Sequence, residues 1–163
     1  MNDKTPKISE PAPTIPAGPA IRVGVGAIIF KDEKVLLIRR GKEPFKGQWS
    51  IPGGKLEYGE ALEAAVHREV LEETSVRIKD LHLFNIYEAL PGNEAGKTGT
   101  AHHLMIDYCA HWEAGSPKAG DDAVDAGFFD ADTALSLVAW DTTRTAIKDA
   151  YLWHASQPSC GQT

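Results

Sequence analysis

The chain is poor in cysteine, in net positive charge and in long apolar runs, and each shortage excludes something. Its two cysteines, Cys109 and Cys160, stand far apart, one inside an apolar run and the other in a polar tail. That placement offers no disulfide framework and suits a reducing compartment, so cytoplasmic residence is expected. Lys and Arg number 17 against 23 Asp and Glu, leaving a formal charge of −6. Sequence-independent affinity for a polyanion comes from Lys and Arg on its phosphates, so nucleic acid is not an expected partner. A small phosphorylated ligand stays compatible with this charge if metal ions mediate its binding. No stretch approaches the roughly 20 apolar residues of a membrane span, and the opening MNDKTPKISEPAPTIPAGPA holds no apolar signal core, so no membrane role is expected.

Proline is abundant in one place: five of ten (Pro6, Pro11, Pro13, Pro16, Pro19) fall in the first 20 residues. Such composition favours extended, unpacked backbone, so residues 1–20 are expected to form an arm outside the fold. One domain over 21–155 and a polar tail over 156–163 follow; 163 residues, 42% of them hydrophobic, suffice for a single core. Ile21 to Phe30 and Lys34 to Arg39, rich in Val and Ile around Lys31-Asp32-Glu33, read as a hairpin. Ile51-Pro52-Gly53-Gly54 stops regular structure and opens a loop to Gly59. Glu60 to Thr74, free of Gly and Pro, has the composition of a helix of about four turns. Val76 to Leu90 and His102 to His111 are strand-like, Gly127-Phe128-Phe129 reads as a short strand, and Thr142 to His154 has helical apolar spacing. Strands and helices without regular βαβ alternation place the chain in the α+β class.

Charge is concentrated in the first helix. Between Gly54 and Val76 six acids (Glu57, Glu60, Glu63, Glu69, Glu72, Glu73) face Lys55 and Arg68, so this stretch alone carries −4. On a helical wheel Glu69, Glu72 and Glu73 share one sector of about 100°, in line with Leu62, Ala65 and Val66 two turns earlier. The face thus begins apolar and ends as three carboxylates. Like charges at this spacing repel, and anions near a helix C-terminus oppose its dipole, each effect costing up to about 1 kcal/mol. A divalent cation reverses both signs, and hard oxygen ligands suit Mg²⁺ or Mn²⁺.

The spacing reaches beyond the triplet. Gly54, five residues, Glu60, seven residues, then Arg68-Glu69-Val70-Leu71-Glu72-Glu73-Thr74-Ser75-Val76 resembles the Nudix box, Gx₅Ex₇REUxEExGU with U aliphatic. Of its nine specified positions one departs, Ser75 for Gly. Upstream, Trp49-Ser50-Ile51-Pro52-Gly53-Gly54 is similar to the family's WxxPGG, and Val35 to Arg40 is similar more loosely. The resemblance implies an α/β/α sandwich around a mixed sheet and metal-dependent cleavage of a diphosphate linkage in a nucleotide-like substrate, with Mg²⁺ or Mn²⁺ as cofactor. It implies Glu69 and Glu73 as principal metal ligands, Glu72 joining for a further ion, and the carbonyl of Gly53 beside them. Arg68 and Glu60 are implied as a supporting ion pair, and Glu57 as a contact to substrate or metal. Ser75 takes a position where Gly is favoured because the residue after a helix commonly adopts the left-handed conformation.

Several assignments stay open in sequence. The proton of the attacking water has Glu69, Glu94, Asp121 or Asp122 to go to. Arg39 and Arg40 end a strand, so one reaches toward phosphate while the other faces solvent; Arg39 is the expected contact. Phe45, Tyr58, Tyr87 and Trp112 offer rings for a base, and of His102 and His103 only one can face a site from a strand. Pro91 lies 15 residues after Val76, where ADP-ribose pyrophosphatases of the family tend to carry a proline, and Pro91-Gly92 would fix the loop 93–100 over the site. ADP-ribose therefore leads, followed by a house-cleaning triphosphate pyrophosphohydrolase and, in another class, a non-catalytic nucleotide sensor. A small nucleotide is the expected partner, and oligomeric state, monomer or homodimer, is left open.

Overall fold

In the computed structural model, residues 20–43, 45–91 and 101–157 are described. The expected arm up to residue 19, Glu94 with most of its loop, and the tail from 158 lie outside them. Strands β1 (Ile21–Lys31) and β2 (Lys34–Arg40) form the expected hairpin, turned at Asp32 with φ 52°. They stay paired only at Phe30↔Val35 and Lys31↔Lys34. Beyond that they diverge. β3 (Trp49–Ser50) joins β2, and β4 (Gly53–Lys55) joins β1 through Gly26↔Gly53, Val25↔Gly54 and Gly24↔Lys55. The segment after Pro52 is thus a short strand and not the expected loop. Its glycines explain why: a Cβ on Gly53 would lie 2.2 Å from the Val25 carbonyl oxygen, so only Gly lets the two backbones meet.

Helix α1 (Leu62–Thr74) starts two residues later than composition suggests, because Glu60 is used in the preceding turn and Ala61 serves as its N-cap. Strands β5 (Arg77–Ala89) and β6 (His102–Ala114) run antiparallel with register shifts, and β6 lies parallel to β1 from Ile21↔His102 to Phe30↔His111. β7 (Ala123–Phe129) closes onto the other edge of β2. Two helices follow, α2 (Ala131–Leu137) and α3 (Asp141–Ser156). α2 was not anticipated, although Asp130, which accepts from the Thr133 amide, is an ordinary N-cap signal.

The sheet is mixed and covered on both faces. Ala65, Val66 and Val70 of α1 pack with Val25, Ala27, Ile29, Ile106 and Tyr108. Opposite, Ala146, Ile147 and Ala150 of α3 and Ala134 of α2 pack with Ile28, Phe30 and Cys109. β1 is therefore buried from both sides, which is why it reads as a continuous apolar run rather than an alternating one. This is the α/β/α layering that the resemblance implies.

Candidate active site

The apolar half of α1 seats the helix on the sheet, and the same face carries its acids inward at the other end. Glu69 and Glu73 are only 9% and 3% exposed, while Glu72 faces solvent. Their burial beside backbone is tight: a Cβ on Gly54 would stand 2.5 Å from the Glu69 carboxylate, and the Gly53 amide donates to Glu73 Oε2 at 2.8 Å. Gly54 is thus required by the side chain that faces it.

Arg68 organises the rest. Its Nε and Nη2 donate to Glu60 Oε1 and Oε2 at 2.8 and 2.9 Å, a bidentate pair, and Nη1 reaches Glu69 at 2.8 Å and Glu72 at 3.3 Å. The pairing of Arg68 with Glu60 expected from the motif is present, and one guanidinium touches three of the helix-region acids. That contact holds the Glu60 carboxyl below its usual range. Glu69 moves the other way, since burial outweighs Arg68. Glu73 is pushed up to about 8, first by burial, with the Gly53 amide opposing and the charge of Glu69 adding to the rise.

A loop after β6 completes the site from the far side. The amides of Lys118 and Gly120 donate to the carbonyls of Thr74 and Glu73, covering orphan acceptors at the end of α1. A Cβ on Gly120 would meet the Glu72 carbonyl at 2.6 Å. This docking delivers Asp121 and Asp122 to a cavity of about 390 Å³ lined also by Arg40, Gly53, Gly54, Lys55, Glu57, Arg68, Glu69, Glu72 and Glu73. Six carboxylates therefore face three basic side chains.

The sequence candidates divide accordingly. Gly53, Glu57, Arg68, Glu69, Glu72, Glu73, Asp121 and Asp122 line one cavity, with Glu60 behind Arg68. Arg39 is exposed and away from it; Arg40, which strand alternation places on the other face of β2, takes the cavity wall instead. Asp122 is held by an ion pair with Lys42. Of the rings, Phe45 packs edge-on to Trp140, Trp112 donates to the Gly115 carbonyl under Lys31, and Tyr58 is fully exposed. His102 pairs with Glu88. Glu94 lies outside the described residues.

The donor set suits a hard divalent cation. Two desolvated carboxylates next to the paired glycines of β4, with further carboxylates across the cavity, form an excess of anionic oxygen that a cation would neutralise. Among the described residues no three acidic, imidazole or thiol groups already converge into a cage. Mg²⁺ typically needs only one or two carboxylates and completes its shell with water and phosphate.

Comparison with known proteins points one way. The NUDIX domain family model matches residues 20–150. An ADP-ribose pyrophosphatase of Methanocaldococcus jannaschii is 40% identical over 131 residues, covering 80% of this chain and 73% of that protein. The 8-oxo-dGDP phosphatase NUDT18 of Danio rerio is 30% identical over 72% of this chain but only 34% of its own length. Among solved structures, a MutT NUDIX hydrolase from Burkholderia pseudomallei superposes with TM-score 0.65 at 30% identity, covering 79% of this chain and 97% of that one.

Proposed function

Because the chain belongs to the Nudix hydrolase family, whose members cleave phosphoanhydride bonds, we propose that it hydrolyses a nucleoside diphosphate linked to a second group, with ADP-ribose as substrate and Mg²⁺ or Mn²⁺ as cofactor. The observation that carries the reading is the buried pair Glu69 and Glu73 beside Gly53 and Gly54 of β4, facing Asp121 and Asp122 across one cavity. Similarity over most of both chains to a protein described as an ADP-ribose pyrophosphatase supports the substrate. The small nucleotide is taken from the cytoplasm.

In this reading Glu69, Glu73 and the Gly53 carbonyl hold the cation, with Glu72 available to a further ion. The bound cation lowers the pKa of water and neutralises phosphate oxygens. Arg68 keeps the acidic cluster assembled by offsetting repulsion between Glu69 and Glu72, and Glu60 fixes Arg68. Arg40 gives the phosphates a positive wall. The proton released by water has acceptors on that cavity in the carboxylates of Glu57, Asp121 and Asp122.

A screen over ADP-ribose, nucleotide sugars, dinucleoside polyphosphates and modified nucleotides, with products resolved by mass, tests the reading. ADP-ribose is expected to yield AMP and ribose 5-phosphate with kcat/KM at least about tenfold above any triphosphate, worth about 1.4 kcal/mol. Preference by that margin for an oxidised nucleotide would sink it and favour the house-cleaning reading; the fish relative is described as an 8-oxo-dGDP phosphatase.

A further inference from the structure

Outside the cavity one carboxylate among the described residues is desolvated and has no part in the proposed reaction. Asp107 of β6 accepts no hydrogen bond and joins no ion pair among the described residues, and burial pushes its carboxyl up to about 6. Asp107 is half-buried and its oxygens keep some contact with water, so the hydrogen-bond donor it lacks within the protein could come from a bound ligand.

Its position suggests which. Strand pairing sets Asp107 opposite Gly26 of β1, and Gly26 opposite Gly53 of β4. Side chains of paired residues share a face, and Gly54, one residue on from Gly53, faces Glu69 of α1. Asp107 therefore stands on the face opposite α1. On this face α3 covers Ile28, Phe30 and Cys109, whereas Asp107 lies further along the strands, toward the fork between β1 and β2. Here β1 has no side chains of its own. Asp107 leans across it: a Cβ on Gly26 would meet Asp107 Oδ1 at 2.5 Å and Ile51 Cδ1 at 3.0 Å, while Met105 lies over Gly24 in the same way. Gly26 is what lets the carboxylate reach toward β4, whose Gly53 belongs to the catalytic cavity. Two strand spacings put the Asp107 and Gly53 backbones about 10 Å apart. That separation is comparable with the reach of a nucleoside from its base edge to its 5′-phosphate.

We propose that Asp107 is the residue that selects the base: its carboxylate, leaning over Gly26, accepts a hydrogen bond from the exocyclic amine of a purine whose diphosphate lies at the Gly53–Glu73 cavity. This rests on the proposed reaction for its substrate class. A buried acceptor left unpaired rejects a ligand lacking the matching donor, so such a residue discriminates more strongly than apolar contact does. Met105 and Ile51 supply apolar walls beside it.

The test is binding and needs no turnover. Calorimetry compares AMP with purine riboside 5′-monophosphate, which lacks the 6-amino group, on the wild-type protein and on Asp107→Asn and Asp107→Leu. Wild type is expected to bind AMP at least tenfold more tightly than the analogue, and Asp107→Leu to bind both equally at the weaker level. Asp107→Asn, which keeps an acceptor oxygen, should fall between. Both variants should melt no lower than wild type, since each removes a desolvated charge. In ADP-ribose hydrolysis Asp107→Leu should raise KM at least tenfold while kcat stays within about threefold, as loss of uniform binding requires. Equal affinity of wild type for the two nucleotides, retained discrimination in Asp107→Leu, or a lowered melting point with unchanged affinities overturns the assignment. Failure of the wild type to cleave ADP-ribose while the binding pattern holds would instead sink the proposed substrate and leave the base contact standing.

Discussion

At the scale of single residues the site depends on how far each carboxylate is removed from water. Glu73 is almost wholly buried with one backbone donor, Glu69 shares Arg68, and Glu72 is exposed. Removing the charge at 73 should therefore do most damage to function and least to the fold. Glu73→Gln keeps an oxygen for the Gly53 amide, so its metal-free circular dichroism and melting temperature should match or exceed wild type. Turnover should fall at least about 10²-fold, the scale expected when one group stabilising transition-state charge is lost. Turnover within a few-fold of wild type, with unchanged metal dependence, would falsify the ligand role. These glutamates were legible in sequence because helical spacing fixes which residues share a face. Arg40 was not: strand alternation says only that Arg39 and Arg40 differ, and which face carries the cavity depends on Asp121 and Asp122, far along the chain. Asp107 was invisible for a related reason, since its partner glycine lies on a strand distant in sequence.

At the scale of elements, the end of α1 shows what one departure from a motif does. Ser75 adopts φ 58° and ψ 18°, left-handed as the family's Gly would be, while its amide donates to Leu71. The conformation expected for this position is thus kept, at a cost of roughly 1–2 kcal/mol for a residue with a Cβ. Glycine would remove that cost but adds unfolded-chain entropy worth roughly 0.5–1 kcal/mol. Ser75→Gly should consequently stabilise the protein by about 0.5–1 kcal/mol, a rise in Tm of roughly 1–4 °C for a chain of this size. Scanning calorimetry decides it; a fall in Tm would mean that the Ser75 side chain supports the turn. The hairpin, α1, β5, β6 and α3 could all be read from composition and periodicity. The short β4 could not, because it has no apolar pattern and exists only where paired glycines allow β1 to approach. The loop from Gly115 to Asp122 was likewise opaque, since its role is to cap a helix 40 or more residues earlier.

At the scale of the whole molecule, the buried acids make stability depend on pH and on metal together. Burial raises the carboxyl of Glu73 to about 8 from 4.5, that of Asp107 to about 6 from 3.8, and that of Glu69 by a smaller step. A group whose folded pKa is raised contributes its stability fully below the unfolded value and loses it as pH rises through the folded value. Glu60 and Asp130 have the opposite sign, but their lowered values act only below 4.5 and 3.8; His111, lowered from 6.5 chiefly by burial, also opposes the trend, and only below 6.5. Between about pH 5 and pH 8 the metal-free protein should therefore lose stability, by at most about 1.4 kcal/mol per pH unit for each group titrating. A cation that binds ionised Glu69 and Glu73 in the native state adds RT ln(1 + [L]/Kd), about 2.7 kcal/mol at a hundred times Kd. Because it needs those carboxylates deprotonated, its contribution grows as pH rises. Melting measured from pH 5 to 8 should thus show Tm falling in EDTA and staying level or rising in millimolar Mg²⁺ or Mn²⁺, the gap widening with pH. Glu73→Gln should lose most of the fall and most of the gap, whereas Asp107→Asn should reduce the fall without touching the gap. A metal-induced rise in Tm that is the same at pH 5 and pH 8 would show that Glu69 and Glu73 do not hold the cation, and an EDTA curve that climbs across this range would show that their carboxyls are not raised by burial.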